Sequence, residues 1–358
     1  MRVCILGVGL SSLTLAKALV NLNIHVDLIS QKKNLKINEN RTIGISENNI
    51  EYFNNHIINI EKIIWKLKKI EILSENLNDE KLLIFEDNKK YLFSIIKNSK
   101  LHQILEKNLL KNKFFKKINK KNFVNLNKDY NLIINTDFNN LVSKKHFSKK
   151  IIKKYNSLAY VTVLEHDKIT NTVATQIFTK KGPLAFLPIS NYETSIVFSI
   201  NSSNFKREEN LKDLINNYNF KYKIKKIRNI ETFELNSLNL RSYYDSNILA
   251  FGDLLHRIHP LAGQGFNMTL RDIKIISGII KKKIDLGLPL DSSINQEFEN
   301  KTKHKNFIFS NSIDFIYEYF NFENKLNNTF LSKSVQLLGR NKLFNNTFKK
   351  IADQGLIF

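Results

Sequence analysis

The stretch from Val3 to Ser30 constrains the fold more than any other part of the chain. Val3–Leu6 is an unbroken apolar run. Gly7-Val8-Gly9-Leu10-Ser11-Ser12 reads as a turn, Leu10–Leu22 has helical apolar spacing, and His25–Ile29 is apolar again. A strand, a glycine turn, a helix and a second strand in this order form a βαβ unit, the opening of a parallel sheet covered by helices. Gly7 permits the tight turn, and Gly9 lets the backbone approach a pyrophosphate held by amides at the helix N-terminus. Ser12 replaces the third glycine of a G-x-G-x-x-G pattern and is small enough to keep the helix near the strand. Ser30 ends the second strand where a carboxylate would hold an adenosine ribose, and it offers a hydrogen bond but no charge. On this segment alone, a plain strand-to-helix connection is the competing reading.

With 358 residues, 42% hydrophobic and 25% charged, the chain can bury a large core as one big α/β enzyme or two coupled domains. No apolar run approaches the roughly 18 residues of a membrane span, and the strand-like start lacks a basic leader, so a cytoplasmic protein is expected. The single cysteine, Cys4, excludes an internal disulfide or a multi-cysteine metal cluster and reads as strand packing. No metal site is expected. The net charge of +23 comes from 56 Lys plus Arg against 33 Asp plus Glu. Only 8 of those 56 are arginine, and runs such as Lys116, Lys117, Lys120, Lys121 and Lys281–Lys283 lack the interleaved aromatics of a stacking groove. Nucleic acid is therefore not expected as a partner, whereas attraction to an anionic membrane surface is.

Beyond Arg41 a helix-like stretch precedes apolar segments at Ile70–Leu73, Lys81–Phe85 and Tyr91–Ile95, which read as sheet, and Leu101–Leu110 returns to helical spacing. Tyr130–Asn135 is a short buried strand. Leu158–Leu164, Thr172–Phe178 and Ser195–Ile200 read as an antiparallel sheet. Ile248–Phe251 leads into a glycine-rich turn and a helix over Phe266–Lys281. From about Asp291 the pattern is helical, with Phe309, Ile313, Ile316 and Phe320 spaced as helix core rather than a lipid-binding face. His102, at a helix start, reads as exposed.

The most specific segment is Phe251-Gly252-Asp253, followed by His259-Pro260-Leu261-Ala262-Gly263-Gln264-Gly265-Phe266-Asn267 and Asp272. Asp253 at a strand end can accept a hydrogen bond from a ribitol hydroxyl. Gly263 and Gly265 let bare backbone meet a planar ring, and the following helix N-terminus offers amides and positive dipole to developing negative charge. This segment closely resembles the GD(x6)P(x2)GQG(F)N(x4)D motif of FAD-dependent aromatic hydroxylases of the para-hydroxybenzoate hydroxylase type, especially their ubiquinone-biosynthesis branch. Arg41-Thr42-Ile43-Gly44-Ile45-Ser46 is similar to the family's R-x-x-A-L-S segment, whose arginine reaches the cofactor. Gln176–Thr179 with Gly182–Pro188 is similar to a stretch on the sheet over the aromatic pocket, and Gly339–Leu343 with Ala352–Gly355 is fainter likeness in the tail.

The resemblance implies an α/β fold: a doubly wound, Rossmann-like FAD-binding domain (residues 1–68, 96–156 and 241–285), an inserted, mostly antiparallel substrate sheet (69–95 and 157–240) and a C-terminal helical segment (286–358). It implies FAD contacts from Gly7, Gly9, Ser12, Ser30, Arg41, Asp253, Pro260, Gly263, Gln264, Gly265, Phe266 and Asn267, and a substrate pocket at Phe186, Pro188, His259 and Pro260. It also implies reduction of FAD by NAD(P)H, capture of O2 as a C4a-hydroperoxyflavin and hydroxylation of a phenol carrying a polyprenyl tail. Other quinone-biosynthesis proteins would be partners, and the location would be peripheral, on the inner face of the cytoplasmic membrane. No side chain is singled out as a catalytic base. The chain departs from the family at Asn135-Thr136-Asp137-Phe138, where a G-A-D-G motif is expected, which bears on the electron donor. A polyprenyl reductase on the same fold, or a non-catalytic FAD-bound scaffold, are the competing classes. A halogenase is disfavoured because Trp65 is the single tryptophan.

Overall fold

Three sheets carry the chain in the computed structural model, which describes residues 2–31, 38–77, 80–87, 91–119, 129–201, 210–326 and 329–355. Lys120 and Lys121 of the first lysine run lie outside the described residues. The first sheet has six strands, numbered here along the chain: β1 (Arg2–Leu6), β2 (His25–Ser30), β8 (Phe115–Asn119), β9 (Leu132–Asn135), β16 (Tyr244–Asp245) and β17 (Ile248–Ala250). Their order is β16-β17-β9-β1-β2-β8, parallel throughout except for the β16–β17 hairpin. Helices α1 (Leu10–Val20) and α3 (Asn98–Leu110) pack with it around Val3, Ile5, Leu13, Leu19, Leu28, Leu101 and Leu105. Cover on both faces explains the near-continuous apolar runs of these strands. Because Leu6 pairs with Asn135 and Asn135 with Ala250, the turns that leave β1, β9 and β17 emerge side by side.

The second sheet is mostly antiparallel, with β5 (Lys69–Ser74), β6 (Lys81–Glu86), β10 (Lys150–His166), β11 (Val173–Thr179), β12 (Gly182–Pro188), β13 (Glu193–Asn201), β14 (Ile224–Ile227), β15 (Glu231–Leu240) and β18 (His256–Arg257). Its order is β18-β15-β10-β13-β12-β11-β5-β6 with β14 beside β10, and β5–β11 is its one parallel pair among the described residues. A small third sheet, β3 (Thr42–Ser46), β7 (Phe93–Lys97) and β4 (Trp65–Leu67), stands between the other two. It is tied to β13 by Thr42 Oγ1 donating to Ser195 Oγ at 2.8 Å and by Lys97 Nζ against Glu193 at 2.7 Å. The segment ending at Ile95 is thus a strand, but its partner is β3 rather than the large sheet.

Helix α2 (Glu47–His56) follows β3, α4 (Leu141–His146) follows β9, and α5 (Leu211–Asn217) covers one face of the large sheet. Helix α6 (Gln264–Asp285) leaves the glycine-rich loop, and α7 (Ser293–Leu326), α8 (Phe330–Arg340) and α9 (Lys342–Gln354) close the chain. Phe309, Ile313 and Phe320 are buried on α7, with the Phe320 ring stacked on Phe178 at 3.7 Å, so this stripe is helix core. The tail returns to β3: the Asp353 carbonyl accepts from Ser46 Oγ and its carboxylate from the Asn48 amide, both at 3.0 Å.

Candidate functional site

The C-terminal ends of β1, β9 and β17 form the crevice where an open parallel sheet binds ligands. Gly7 has φ +117°, and a Cβ there would stand 2.4 Å from Thr136 Oγ1. Thr136 Oγ1 in turn lies 2.6 Å from Ser12 Oγ and donates to the Leu6 carbonyl at 2.9 Å. Gly9 caps α1 without a side chain, is exposed, and has open space where a Cβ would sit. The first-turn amides of α1 therefore face an unobstructed rim. Gly252 (φ +62°) lies against Ser11, which brings the exposed Asp253 to the same rim, while Ser30 is buried at the end of β2. His102, read from sequence as exposed, is in fact buried: its Nε2 stands 3.1 Å from the Val8 carbonyl and so braces the glycine turn from α3.

A second cluster forms around the N-terminus of α6. Gly263 adopts the left-handed conformation (φ +63°) and caps the helix without a side chain. A Cβ on it would meet the bare backbone of Gly44 at 3.5 Å and the Phe93 ring at 3.6 Å. Asn267, fully buried, spends all its hydrogen-bonding capacity on holding these pieces together. Its Nδ2 donates to the carbonyls of Gly44 (3.0 Å) and Gly263 (3.1 Å), and its Oδ1 accepts from the Ser46 amide (3.0 Å) and Asn49 Nδ2 (2.9 Å). Asn267 is therefore a staple between the glycine-rich loop, β3 and α2. Around it, Gln264 is buried with Oε1 unpartnered, Gly265 and Pro260 are exposed, Phe266 is half-buried, and Arg41 is exposed at the start of β3.

The structure does not bring Phe186 and Pro188 together with His259 and Pro260. Leu184 and Phe186 point into the core with Leu211, Ile215 and Tyr222 on the α5 side, and Pro188 shares their side by strand alternation. The residues between them face the other way: Leu187 packs with Phe93, Trp65 and Ala174. On that side lie Gln176, Ala185, Ser195 and Val197, and Gln176, Leu187 and Val197 stay half-buried on inner strands. This half-buried patch, framed by Phe93 and Thr42, adjoins the Gly44–Gly263 contact. Phe93 and Thr42 carry no sequence signal that marks them for this place.

His259 is 1% exposed, and neither ring nitrogen has a hydrogen-bond partner. Its ring stacks on Tyr317 at 4.2 Å and meets Tyr155 edge-on at 5.0 Å. Burial pulls its pKa down to about 3. Burial, together with the Asp314 carboxylate that accepts its hydroxyl, pushes the Tyr155 phenol well above its usual value. An imidazole neutral when folded but titrating near 6.5 when unfolded lets the unfolded chain bind the extra proton, so stability falls as pH drops below about 6.5. At pH 5 this one group should cost about 2 kcal/mol relative to pH 7. Melting temperatures of the parent and of His259→Phe, measured from pH 7 to pH 5, should show a shallower decline in the variant. Identical slopes would contradict this.

The altered motif at Asn135–Phe138 reaches both ways, Thr136 to the Gly7 turn and Asn135 to the residues that follow. Asn135 bonds Asn140 and Ser143 through Nδ2 and accepts from the Asp137 amide, and Asn140 caps α4. The Phe138 ring lies between Lys150 Nζ (4.3 Å) and the Arg257 guanidinium (5.1 Å).

The residues fit a flavin dinucleotide. Uncapped amides face open space at α1, and a side-chain-free helix cap at α6 faces a second bare glycine, with an unpartnered buried amide oxygen beside it. Asp253→Ala should weaken FAD binding by about 1 to 3 kcal/mol, the loss of one hydrogen bond to a ribitol hydroxyl without steric insult. A dilution titration showing unchanged FAD affinity would move the ribitol anchor elsewhere.

No family model matches the chain. It is 25% identical over 202 residues to the mitochondrial ubiquinone biosynthesis monooxygenase COQ6 of Danio rerio, covering 45% of this chain and 42% of that protein. To the 3-demethoxyubiquinol 3-hydroxylase of Escherichia coli it is 24% identical over 152 residues, covering 40% and 39%. The chain thus spans about two fifths of the length of these curated relatives. Among solved structures, Klebsiella pneumoniae HpxO complexed with FAD and uric acid superposes with a TM-score of 0.76 at 11% identity, over 98% of this chain and 96% of that one.

Proposed function

We propose that this chain, a sequence relative of ubiquinone-biosynthesis monooxygenases on the fold of FAD-dependent monooxygenases, is itself an FAD-dependent monooxygenase that hydroxylates the ring of a polyprenylated phenol in ubiquinone biosynthesis. The observation that carries this reading is the Asn267 staple. It holds two side-chain-free backbones, Gly44 and Gly263, against each other, with the Phe93 ring seated on Gly44 beside the Gln176–Ala185–Val197 face of the large sheet. A planar cofactor ring and an aromatic substrate need such neighbouring spaces. FAD, when bound, supplies the redox and oxygen chemistry, with NAD(P)H as the proposed donor of electrons.

The chain's own residues would bind and orient. The amides of α1 at Gly9–Ser12 would take the pyrophosphate, and the Asp253 carboxylate a ribitol hydroxyl. The N-terminus of α6, with no side-chain cap, would offer positive dipole to a negatively charged ring held beside it. Gln176, Ala185 and Val197 would form the floor under the substrate ring. No residue in this arrangement is assigned as a general base.

The test is anaerobic mixing of FAD-loaded protein with NADH, with and without a prenylated phenol. Flavin bleaching that the phenol accelerates supports the reading. Bleaching that ignores the phenol favours a reductase on the same fold, and no bleaching under either condition favours a scaffold.

A further inference from the structure

We infer that the outward face of α8 and α9 is a docking surface for an anionic lipid bilayer. Both helices lie on the body of the protein by one side. Val335 and Ile351 pack into the cluster of Tyr317, Phe320 and Leu82, and a Cβ on Gly339 would stand 2.3 Å from Leu83 Cδ2, so α8 rests tightly on β6. The opposite side carries Phe330 (68% exposed), Leu337 (65%), Leu338 and Leu343 (78%), with Phe348 at its margin. Single exposed apolar residues are ordinary, but a group of this size on two consecutive helices is not.

Charge decides the occupant. From Lys325 to Lys350 the sequence holds six basic residues, Lys325, Lys333, Arg340, Lys342, Lys349 and Lys350, and no acidic one. A second copy of this chain meeting the same face would oppose like charges across a two-fold contact. An anionic lipid surface meets both features: acyl chains take the exposed phenylalanines and leucines, and headgroups take the exposed Lys325, Lys333, Arg340 and Lys350, whereas Lys349 donates to the Glu86 carbonyl on β6. The placement would serve a lipid-tailed substrate, and only in that respect does it rest on the proposed function. In the last turn of α9, Asp353 is bonded to Ser46 and Asn48 next to the Asn267 staple, so a docked membrane would lie close to the site.

The FAD-loaded full chain is sedimented with phosphatidylcholine vesicles, with and without phosphatidylglycerol, and without substrate. Binding to the anionic vesicles alone is expected. Leu337→Ser/Leu338→Ser/Leu343→Ser and Lys333→Glu/Lys350→Glu should each lower partitioning by about tenfold or more. Lys144→Glu/Lys145→Glu, an equal charge change on exposed α4 residues, should lower it by less than about twofold if docking is local rather than diffuse. Retained FAD absorbance and an unchanged melting temperature verify the fold of each variant, with Leu343→Ser alone replacing the triple variant should that fail. A parent that ignores anionic vesicles overturns the proposal. So does a control variant as impaired as Lys333→Glu/Lys350→Glu, or an apolar variant that converts a dimer to a monomer with vesicle binding intact. A chain that docks but never bleaches with NADH refutes the enzyme reading and leaves the docking surface standing.

Discussion

Replacing Asn267 with alanine is expected to strip the protein of FAD and to lower its melting temperature. The side chain makes four hydrogen bonds in full burial, to Gly44, Ser46, Asn49 and Gly263. Its removal takes one hydrogen bond each from the Gly44 and Gly263 carbonyls, the Ser46 amide and the Asn49 side chain, which keeps its bond to Ser46 Oγ. Each unsatisfied group costs about 1 to 3 kcal/mol, and partial relaxation brings the expected total to roughly 3 to 5 kcal/mol. The glycine-rich loop would lose its tie to β3, so FAD affinity should fall by about 100-fold or more. Asn267→Asp separates the two halves of the staple: it keeps the acceptor that Ser46 and Asn49 use and sets a carboxylate against the Gly44 and Gly263 carbonyls. Flavin fluorescence during thermal melting reads both effects, and an alanine variant that stays yellow and melts with the parent would contradict the assignment.

Asp272→Ala should destabilise the fold to a similar extent by a different route. The Asp272 carboxylate, 1% exposed, lies 2.6 Å from His256 Nε2 and accepts from Asn306 Nδ2 at 3.0 Å. It joins β18, α6 and α7 just behind the glycine-rich loop. Removing one partner of such a buried pair typically costs about 3 to 5 kcal/mol, because the remaining polar groups cannot be rehydrated. Asp272→Asn, which can still accept one bond, should lose about half as much. Denaturant titration of both variants checks this ranking, and equal midpoints for parent and Asp272→Ala would show that the network carries no stability.

Much of the architecture was legible in the sequence because two signals are local. Apolar periodicity marked β1, α1, β2, β5, β6, β9 and α6 to within a few residues, and glycine spacing marked both turns of the candidate site. The elements that escaped notice lack those signals. Strand β8, Phe-Lys-Lys-Ile-Asn, is an edge strand with Lys116 exposed on one face and Lys117 paired with Glu106 of α3 on the other, and in sequence it reads as solvated charge. Strand β10 begins at Lys150, well before Leu158, because its first turns are half-exposed, and β15 alternates polar and apolar residues without a strong apolar run. Partner choice was also hidden: nothing local tells that Phe93–Lys97 pairs with β3. Within the site, sequence named the glycines and Asn267 but not their wiring. Which way Phe186 faces depends on a register that shifts every side chain by one position, and that information is non-local. The burial of His102 and the position of Phe93 follow from helix and strand packing rather than from residue type.

Oxygen isotopes distinguish whether a flavin held by the Asn267 staple delivers oxygen to an aromatic ring lying on the Gln176–Ala185–Val197 patch. FAD-loaded protein is incubated with NADH, a prenylated phenol and heavy-oxygen-labelled dioxygen in ordinary water, and the product is weighed by mass spectrometry. The expected product is a phenol carrying one labelled oxygen atom, at a yield that Asn267→Ala abolishes. Consumption of NADH with the phenol recovered unchanged, or a product whose new oxygen comes from water, would contradict it.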